Sequence, residues 1–599
     1  MKRALLAVCL IAPVFAQTQT PRPEYPRPQF ERTDWENLNG KWQFEFDDSN
    51  AGFDARWWAE TKPFSKTITV PYCFESKLSG INDPSFHPWV WYRRTFTTPA
   101  SWTGRRTLLH FGAVDYRAWV WVNGSLAGTH EGGNVPFTFD ITPLLKSGEN
   151  TLTVRAEDPP RDRYIPRGKQ YWKEKSQSIF YTRTSGIWQT VWLEPVAPSY
   201  LDHVRITSGM DGLARFHAIV DGAKAGLTFR AVVRSAGADV ASASAPATDA
   251  HVWATAQVAN PMLWSFDHPN LYDVLFQLLD NGKVVDEVHS YLGFRTISED
   301  NGMVAINGRR TVLKFVLDQG YWPESNLTPP SDDAIQYDIR MTKEMGFNGA
   351  RKHQKVEDPR YLYWADKMGL MVSAEMANAQ EFDPGAVERF TREWMAAVER
   401  DYNHPSIVIW APINESWGVP KLEDDPRQSA YIKGLYHLTG ALDSTRPVID
   451  NEGWQHTDET DLFAMHDYTG QGDALAAKYA NLGDPDSPLP DVGRETLLSG
   501  YAYNGTPIYL SEFGGVSYIP QGAHVPSNAW GYAGLMKTQQ DALVRIGSLF
   551  SAIAATPAFS GYCYTQLTDV EQEVNGLMTY DRKPKYPVEE IKKLNDMVK

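Results

Sequence analysis

From about Ile297 to Lys599 the chain repeats strand, loop and helix, and this rhythm restricts the fold more than any other feature. Eight segments carry the apolar, β-branched character of buried strands. They are Thr311–Leu317, Gly346–Arg351, Leu370–Glu375, Ile407–Ile413, Pro447–Asn451, Leu462–Met465, Ile508–Ser511 and Gly561–Gln566. Helical stretches fall between them. Asp358–Met368 opens on Asp-Pro, a cap followed by a residue suited to a first turn. Ala386–Asp401 and Asn528–Ile553 are longer amphipathic runs. Eight β units with helices between them, over about 300 residues, close into a (β/α)8 TIM barrel. An open doubly wound sheet is the rival. It would carry a glycine-rich phosphate turn after its first strand, and none is present.

With 599 residues the chain exceeds one core, so further domains precede the barrel. Residues 17–197 read as short alternating strands. Trp42-Gln43-Phe44-Glu45-Phe46 is one, and Ala118-Trp119-Val120-Trp121-Val122 runs into the hairpin signal Asn123-Gly124. Two stacked antiparallel sheets, a jelly-roll sandwich, suit this density. Residues 198–296 continue in strands richer in Ala, Val and Ser, as expected of an immunoglobulin-like β-sandwich. Residues 1–16 read as a signal peptide. Lys2 and Arg3 precede an apolar run that ends on Ala16, so a secreted, periplasmic or extracellular protein is expected, with no membrane span after signal removal. Cys9 lies in that leader. Cys73 and Cys563 fall in different domains and are not expected to pair. The formal charge of −15 argues against nucleic acid as a partner. No His/Cys pair has zinc spacing, and neither metal nor cofactor is expected. The 21 Trp and 28 Tyr offer faces for sugar rings, although most such rings are core.

Chemistry in such barrels sits at the C-terminal ends of strands. Two strands end in a glutamate flanked by polar or aromatic residues: Ile407–Ile413 leads into Asn414-Glu415-Ser416-Trp417, and Ile508–Ser511 leads into Glu512-Phe513-Gly514. Hydrolysis of a glycosidic bond needs one carboxyl to protonate the leaving oxygen and another to attack the anomeric carbon. The two must differ in environment. Glu415, beside Trp410 and Trp417, is expected in the drier place as acid/base. Glu512 is expected to be the ionised nucleophile, supported by Arg351 at the end of the second strand. Asn414 is positioned to hold the sugar 2-OH. Asp318 and Gln319, after the first strand, are candidates for sugar hydroxyls. Glu375, Asp450 and Glu452 also end strands and suit hydrogen-bonding support behind the reacting groups.

Several stretches resemble glycoside hydrolase family 2, the β-galactosidase, β-glucuronidase and β-mannosidase family, over nearly the whole chain. They are Leu38-Asn39-Gly40-Lys41-Trp42, Trp91-Tyr92-Arg93-Arg94, Val120-Trp121-Val122-Asn123-Gly124, Ser185-Gly186-Ile187-Trp188 and Gly293-Phe294-Arg295. Most specific are Asn414-Glu415-Ser416 and Ser511-Glu512-Phe513-Gly514. The resemblance implies a jelly roll, an immunoglobulin-like sandwich and a catalytic barrel. It implies acid/base and nucleophile roles for Glu415 and Glu512. It also implies that Tyr468 hydrogen-bonds the nucleophile, that Tyr564 and Gln566 form a floor for the sugar, and that a loop near Tyr181–Thr184 reaches the site. His466 is a candidate sugar contact, against a structural histidine. In that loop Arg183 is conspicuous, with a solvated arginine as the plainer reading.

Departures from the family bear on the substrate. The family's Arg-x-Ser-His-Tyr-Pro stretch is here Arg351-Lys352-His353-Gln354-Lys355-Val356, so Gln354 stands at the histidine position and His353 one place earlier. The family's Asn-x-His after the first strand is Leu317-Asp318-Gln319-Gly320. The uronate clamp Asn-x-Lys is replaced by the acidic run Glu571–Gly576, which would repel a uronate. The expected activity is a retaining, exo-acting β-glycosidase of terminal neutral sugars, β-galactosidase-like. A β-mannosidase, an α-L-arabinopyranosidase and a non-catalytic carbohydrate-binding protein are the alternatives. The partner is then a glycoside or oligosaccharide; oligomeric state is left open.

Overall fold

The computed structural model describes residues 20–60, 62–484, 487–523, 525–532 and 534–599. The leader expected at 1–16 lies outside them. Residues 36–196 form the jelly roll. A six-stranded sheet that includes Gly40–Phe46, Trp89–Thr97, Arg117–Val122 and Glu149–Glu157 packs on a four-stranded one that includes Arg106–Phe111 and Val191–Val196. Alternation decides the facing: Val90, Tyr92 and Phe96 enter the core with Ala118, Val120 and Val122, while Trp91 and Trp121 stack on the outer face. Residues 200–292 form sheets of three and four antiparallel strands around Phe216, Phe229 and Phe276.

The barrel has seven parallel strands in one continuous sheet. In spatial order they are Ile407–Ala411, Met371–Glu375, Gly349–Lys352, Leu313–Asp318, Phe559–Thr565, Ile508–Gly514 and Phe463–Asp467. The fifth segment expected from the sequence, Pro447–Asn451, is not a regular strand. It joins its neighbour through single bridges, Trp410 to Val448 and Asn414 to Glu452, and Gly453 accepts from the His466 backbone. Residues 447–453 thus fill the gap between the first- and last-named strands. Pro447 lacks a donor and Asp450 turns its carboxylate onto the His456 ring and the amide and hydroxyl of Thr457, which explains the irregular ladder.

Side-chain caps set the helix starts. Asp358 Oδ1 accepts from the Arg360 amide before Pro359–Met368, and Asp383 Oδ1 accepts from the Ala386 amide before Pro384–Asp401. The helix expected from Asn528 begins only at Gln539, capped by Thr538, and ends at Ala554. Before it, the described residues include Gly531, Gly534 at φ +74° and the short strand Leu535–Met536. Cys73 and Cys563 are both buried free thiols. No helix among the described residues is long and apolar enough to cross a membrane.

Candidate active site

Arg351 organises the strand ends. It is fully buried, and its Nη1 donates to Glu512 Oε1 at 2.7 Å while Nη2 donates to Asn414 Oδ1 at 2.6 Å. Its Nε pairs with Glu375 and lies 3.4 Å from Glu452 Oε1. One guanidinium therefore serves three buried carboxyls. Burial pushes Glu452 up to about 7 despite Arg351, and burial likewise raises Glu375. Glu512 moves the other way. Burial opposes its ionisation, but His466 and Arg351, with the Tyr468 hydroxyl donating to Oε2, hold its carboxyl well below the usual range. Asn414 Nδ2 is buried without a protein partner, a free donor beside Glu512.

His466 stands between the two glutamates, with Nδ1 2.9 Å from Glu415 Oε1 and 3.6 Å from Glu512 Oε2. One carboxylate oxygen from each glutamate and a ring nitrogen of His466 lie within 4.8 Å of one another. The environments differ from expectation. Glu415 is the wetter of the pair, its side chain 18% exposed against 4% for Glu512. Trp410 does not dry it, because that ring points outward, donating to Asp443 and packing on Trp394. Glu415 and Ser416 both adopt left-handed backbone, at φ +52° and +57°. The turn is held by Glu415 N to Glu452 O and by Ser416 N to Asn451 Oδ1, both 2.9 Å. Such strained backbone persists only where the surroundings impose it, and it gathers at functional sites.

The Tyr468 oxygen also accepts from the Thr565 hydroxyl at 3.1 Å, and its ring stacks on Tyr532 at 3.6 Å between centroids. Tyr532 and its neighbour Trp530 come from the loop expected to be helix. Tyr532 reaches the strand ends through Tyr468, and Trp530 packs on it at 5.0 Å. Tyr564, expected to form a floor for the sugar, is instead packed in the core behind the strand, against Phe513 and Phe550, because alternation turns it away from the barrel interior. Gln566 is fully buried, accepting from Gln319 Nε2 at 3.0 Å and donating to Asn575 at 2.7 Å. Asp318 is not available to a sugar: its Oδ2 accepts from Lys352 and its Oδ1 from the Gly320 amide. Gln354 is likewise occupied, its amide exchanging two hydrogen bonds with Asn378. His353 Nδ1 lies 3.0 Å from Glu375 Oε2, and burial, with Lys169 and Arg351 nearby, holds the ring neutral well below its usual pKa. Asp450 supports the 450–464 segment through His456 and Thr457 rather than Glu415 or Glu512.

The jelly roll walls one side. Phe180 packs on Trp417 at 5.4 Å, and Tyr171 and Trp172 pack behind Phe180. In the 181–184 loop, the Tyr181 hydroxyl donates to Glu573 at 2.6 Å and the Thr182 amide to Glu571 at 2.9 Å. Arg183 points away, donating to the Tyr171 and Lys173 carbonyls and covering Phe86; it is buried, not solvated. No local motif marks Lys169, whose ammonium sits 4.8 Å from the Trp417 ring.

Residues 35–193 match the family described as glycosyl hydrolases family 2, sugar binding domain. Residues 201–295 match glycosyl hydrolases family 2, and residues 300–599 its TIM barrel domain. A β-galactosidase of Priestia megaterium is 25% identical over 67% of this chain and 44% of its own length. A β-glucuronidase of Canis lupus familiaris is 28% identical over 69% of this chain and 68% of its own. The chain spans about half the length of the first curated relatives it matches. The β-glucuronidase from Ruminococcus gnavus, solved in complex with D-glucuronic acid, superposes with a TM-score of 0.78 at 18% identity, covering 96% of this chain and 99% of that one. At that identity the likeness concerns the fold.

Proposed function

The chain belongs to glycosyl hydrolase family 2, and on that premise we propose that it is a secreted, retaining, exo-acting β-glycosidase of terminal neutral sugars. The observation that carries the reading is the convergence of the Glu415 and Glu512 carboxylates on His466 within 4.8 Å. Separations of about 5–5.5 Å suit direct attack, whereas a wider gap admits a water and inverts the product. Glu512, ionised by its surroundings, attacks the anomeric carbon while Glu415 gives its proton to the leaving oxygen. A covalent glycosyl ester forms and the aglycone departs. Water then attacks the same carbon, Glu415 takes its proton, and Glu512 is released as carboxylate. Asn414 Nδ2, unpartnered beside Glu512, is suited to the 2-OH, a contact that tightens as charge develops. The wall built by Phe180 and the 181–184 loop supports exo action.

Glu512→Ala should abolish turnover, and azide should restore it as a glycosyl azide of inverted configuration. Rescue at Glu415→Ala with inversion would reverse the roles. Because relatives carry both names, the nitrophenyl panel should include β-galactoside, β-mannoside, α-L-arabinopyranoside and β-glucuronide; preference for the β-glucuronide would refute the neutral-sugar reading. Dialysis against EDTA is expected to leave turnover unchanged. Exported protein should begin near Gln17.

A further inference from the structure

Lys169 belongs to the first domain yet ends in the barrel mouth. The loop that carries it is seated tightly. The Gly168 amide donates to Asn378 O at 2.9 Å, and a Cβ on Gly168, which sits at φ +55°, would lie 2.3 Å from Gln354 O. Only glycine lets the two backbones approach this closely. The Tyr181 amide donates to the Lys169 carbonyl at 2.8 Å, and Gln170 Nε2 to Asp115 Oδ2 at 2.8 Å. The side chain that emerges is 5% exposed, its ammonium over the Trp417 ring. Among the described residues this ammonium has no hydrogen-bond or ion-pair partner. The donors of this ammonium are therefore free for an acceptor from outside the chain.

Glu573 faces it from the loop after the last barrel strand. It is 1% exposed, accepts from Tyr181 and Asn575, and retains lone pairs for a further donor. Lys169 and Glu573 act on each other electrostatically without forming a direct ion pair. A donor and an acceptor from two domains, both tied to Tyr181, match a group that both accepts and donates, as adjacent sugar hydroxyls do. A third charge fits worse, since Glu573, Glu512 and Glu415 would all repel an anionic substituent.

We infer that Lys169 and Glu573 form a clamp between domains on neighbouring hydroxyls of the terminal neutral sugar, so that the jelly roll completes the substrate site. This rests on the glycosidase reading above. The test compares wild type, Lys169→Met, Lys169→Gln and Glu573→Gln on the best neutral nitrophenyl glycoside, its monodeoxy analogues and the matching uronide. Thermal midpoints identify any variant that fails to fold. Lys169→Met is expected to lower kcat/KM on the neutral glycoside about 10- to 100-fold. On the analogue lacking the clamped hydroxyl, already poor for wild type, it should have little further effect. Equal losses on every analogue, or a loss confined to the uronide, would overturn the clamp. If Lys169→Met does not fold, the same pattern is read from Lys169→Gln and Glu573→Gln, and wild type tolerating every single deoxygenation also overturns it. Wild type inactive on all glycosides, with no azide rescue at Glu512→Ala, would instead remove the underlying reading.

Discussion

Arg351 is the residue on which the pocket's charge balance turns. Replacing it with Met leaves Glu512, Glu375 and Glu452 buried together without their cation. Removing one partner of a buried ion pair costs about 3–5 kcal/mol, and urea unfolding of Arg351→Met should report a loss of that order. The same change acts on pH dependence. Glu512 is held low in the folded enzyme, so its ionised form stabilises the fold above the ordinary carboxylate pKa, and this is lost only as pH falls through the depressed value. Without Arg351 that value rises, and the acid limb of kcat/KM should move to higher pH. Tyr468→Phe removes a hydrogen bond to the same carboxylate. It should shift the limb in the same direction and lower kcat/KM about 10-fold or more, with little change in KM. An acid limb that stays put in both variants would show that Glu512 is not the ionising group.

Single elements were legible to different degrees. Asp358–Met368 and Ala386–Asp401 could be read because capping residues and helical periodicity are local signals, and the observed helices start within two residues of those readings. Asp383→Ala should cost about 1 kcal/mol by urea unfolding, the ordinary worth of such a cap. The strand ends carried Glu415 and Glu512 for a comparable reason: the barrel's polarity puts strand C-termini at one rim. Tyr564 was misread because the strand extends from Phe559 to Thr565, and alternation over that register sends the ring outward. Gly514 shows the same packing from the other side. It sits at φ +93°, and a Cβ there would lie 2.4 Å from Tyr564. Gly514→Ala is therefore expected to lower the thermal midpoint by several degrees and to reduce kcat, because Glu512 lies two residues away on the same strand. Unchanged melting would mean that the strand accommodates the methyl group.

At the scale of the molecule, the jelly roll and barrel are joined by buried polar contacts. Glu393, on the Pro384–Asp401 helix, accepts from the backbone and side chain of Asn134. Burial pushes its carboxyl up to about 7, with the Asn134 bonds opposing. The folded state therefore holds a proton that the unfolded chain releases near the ordinary carboxylate pKa. Its contribution is neutral below about pH 4 and becomes destabilising as pH rises through 4.5 to 7. Glu393→Gln keeps an acceptor for Asn134 and removes that cost. It should stabilise the protein by up to about 3 kcal/mol at pH 8 and hardly at all at pH 4, measured by urea unfolding at both. Equal effects at both pH values would contradict the assigned protonation.

The order of three domains, the barrel and its two strand-ending glutamates followed from the sequence alone. Periodicity, caps and strand polarity are properties of neighbouring residues. What the tertiary structure decided was which distant groups share one pocket. Asn134 meets Glu393 across 259 positions, Tyr181 meets Glu573 across 392, and Lys169 arrives from another domain. No local pattern encodes such meetings, because they depend on how closed sheets and seated loops position side chains in space. The same cause released Asp318 and Gln354 from the site: buried polar groups take the nearest partners packing offers, and for these two those partners lie within the protein.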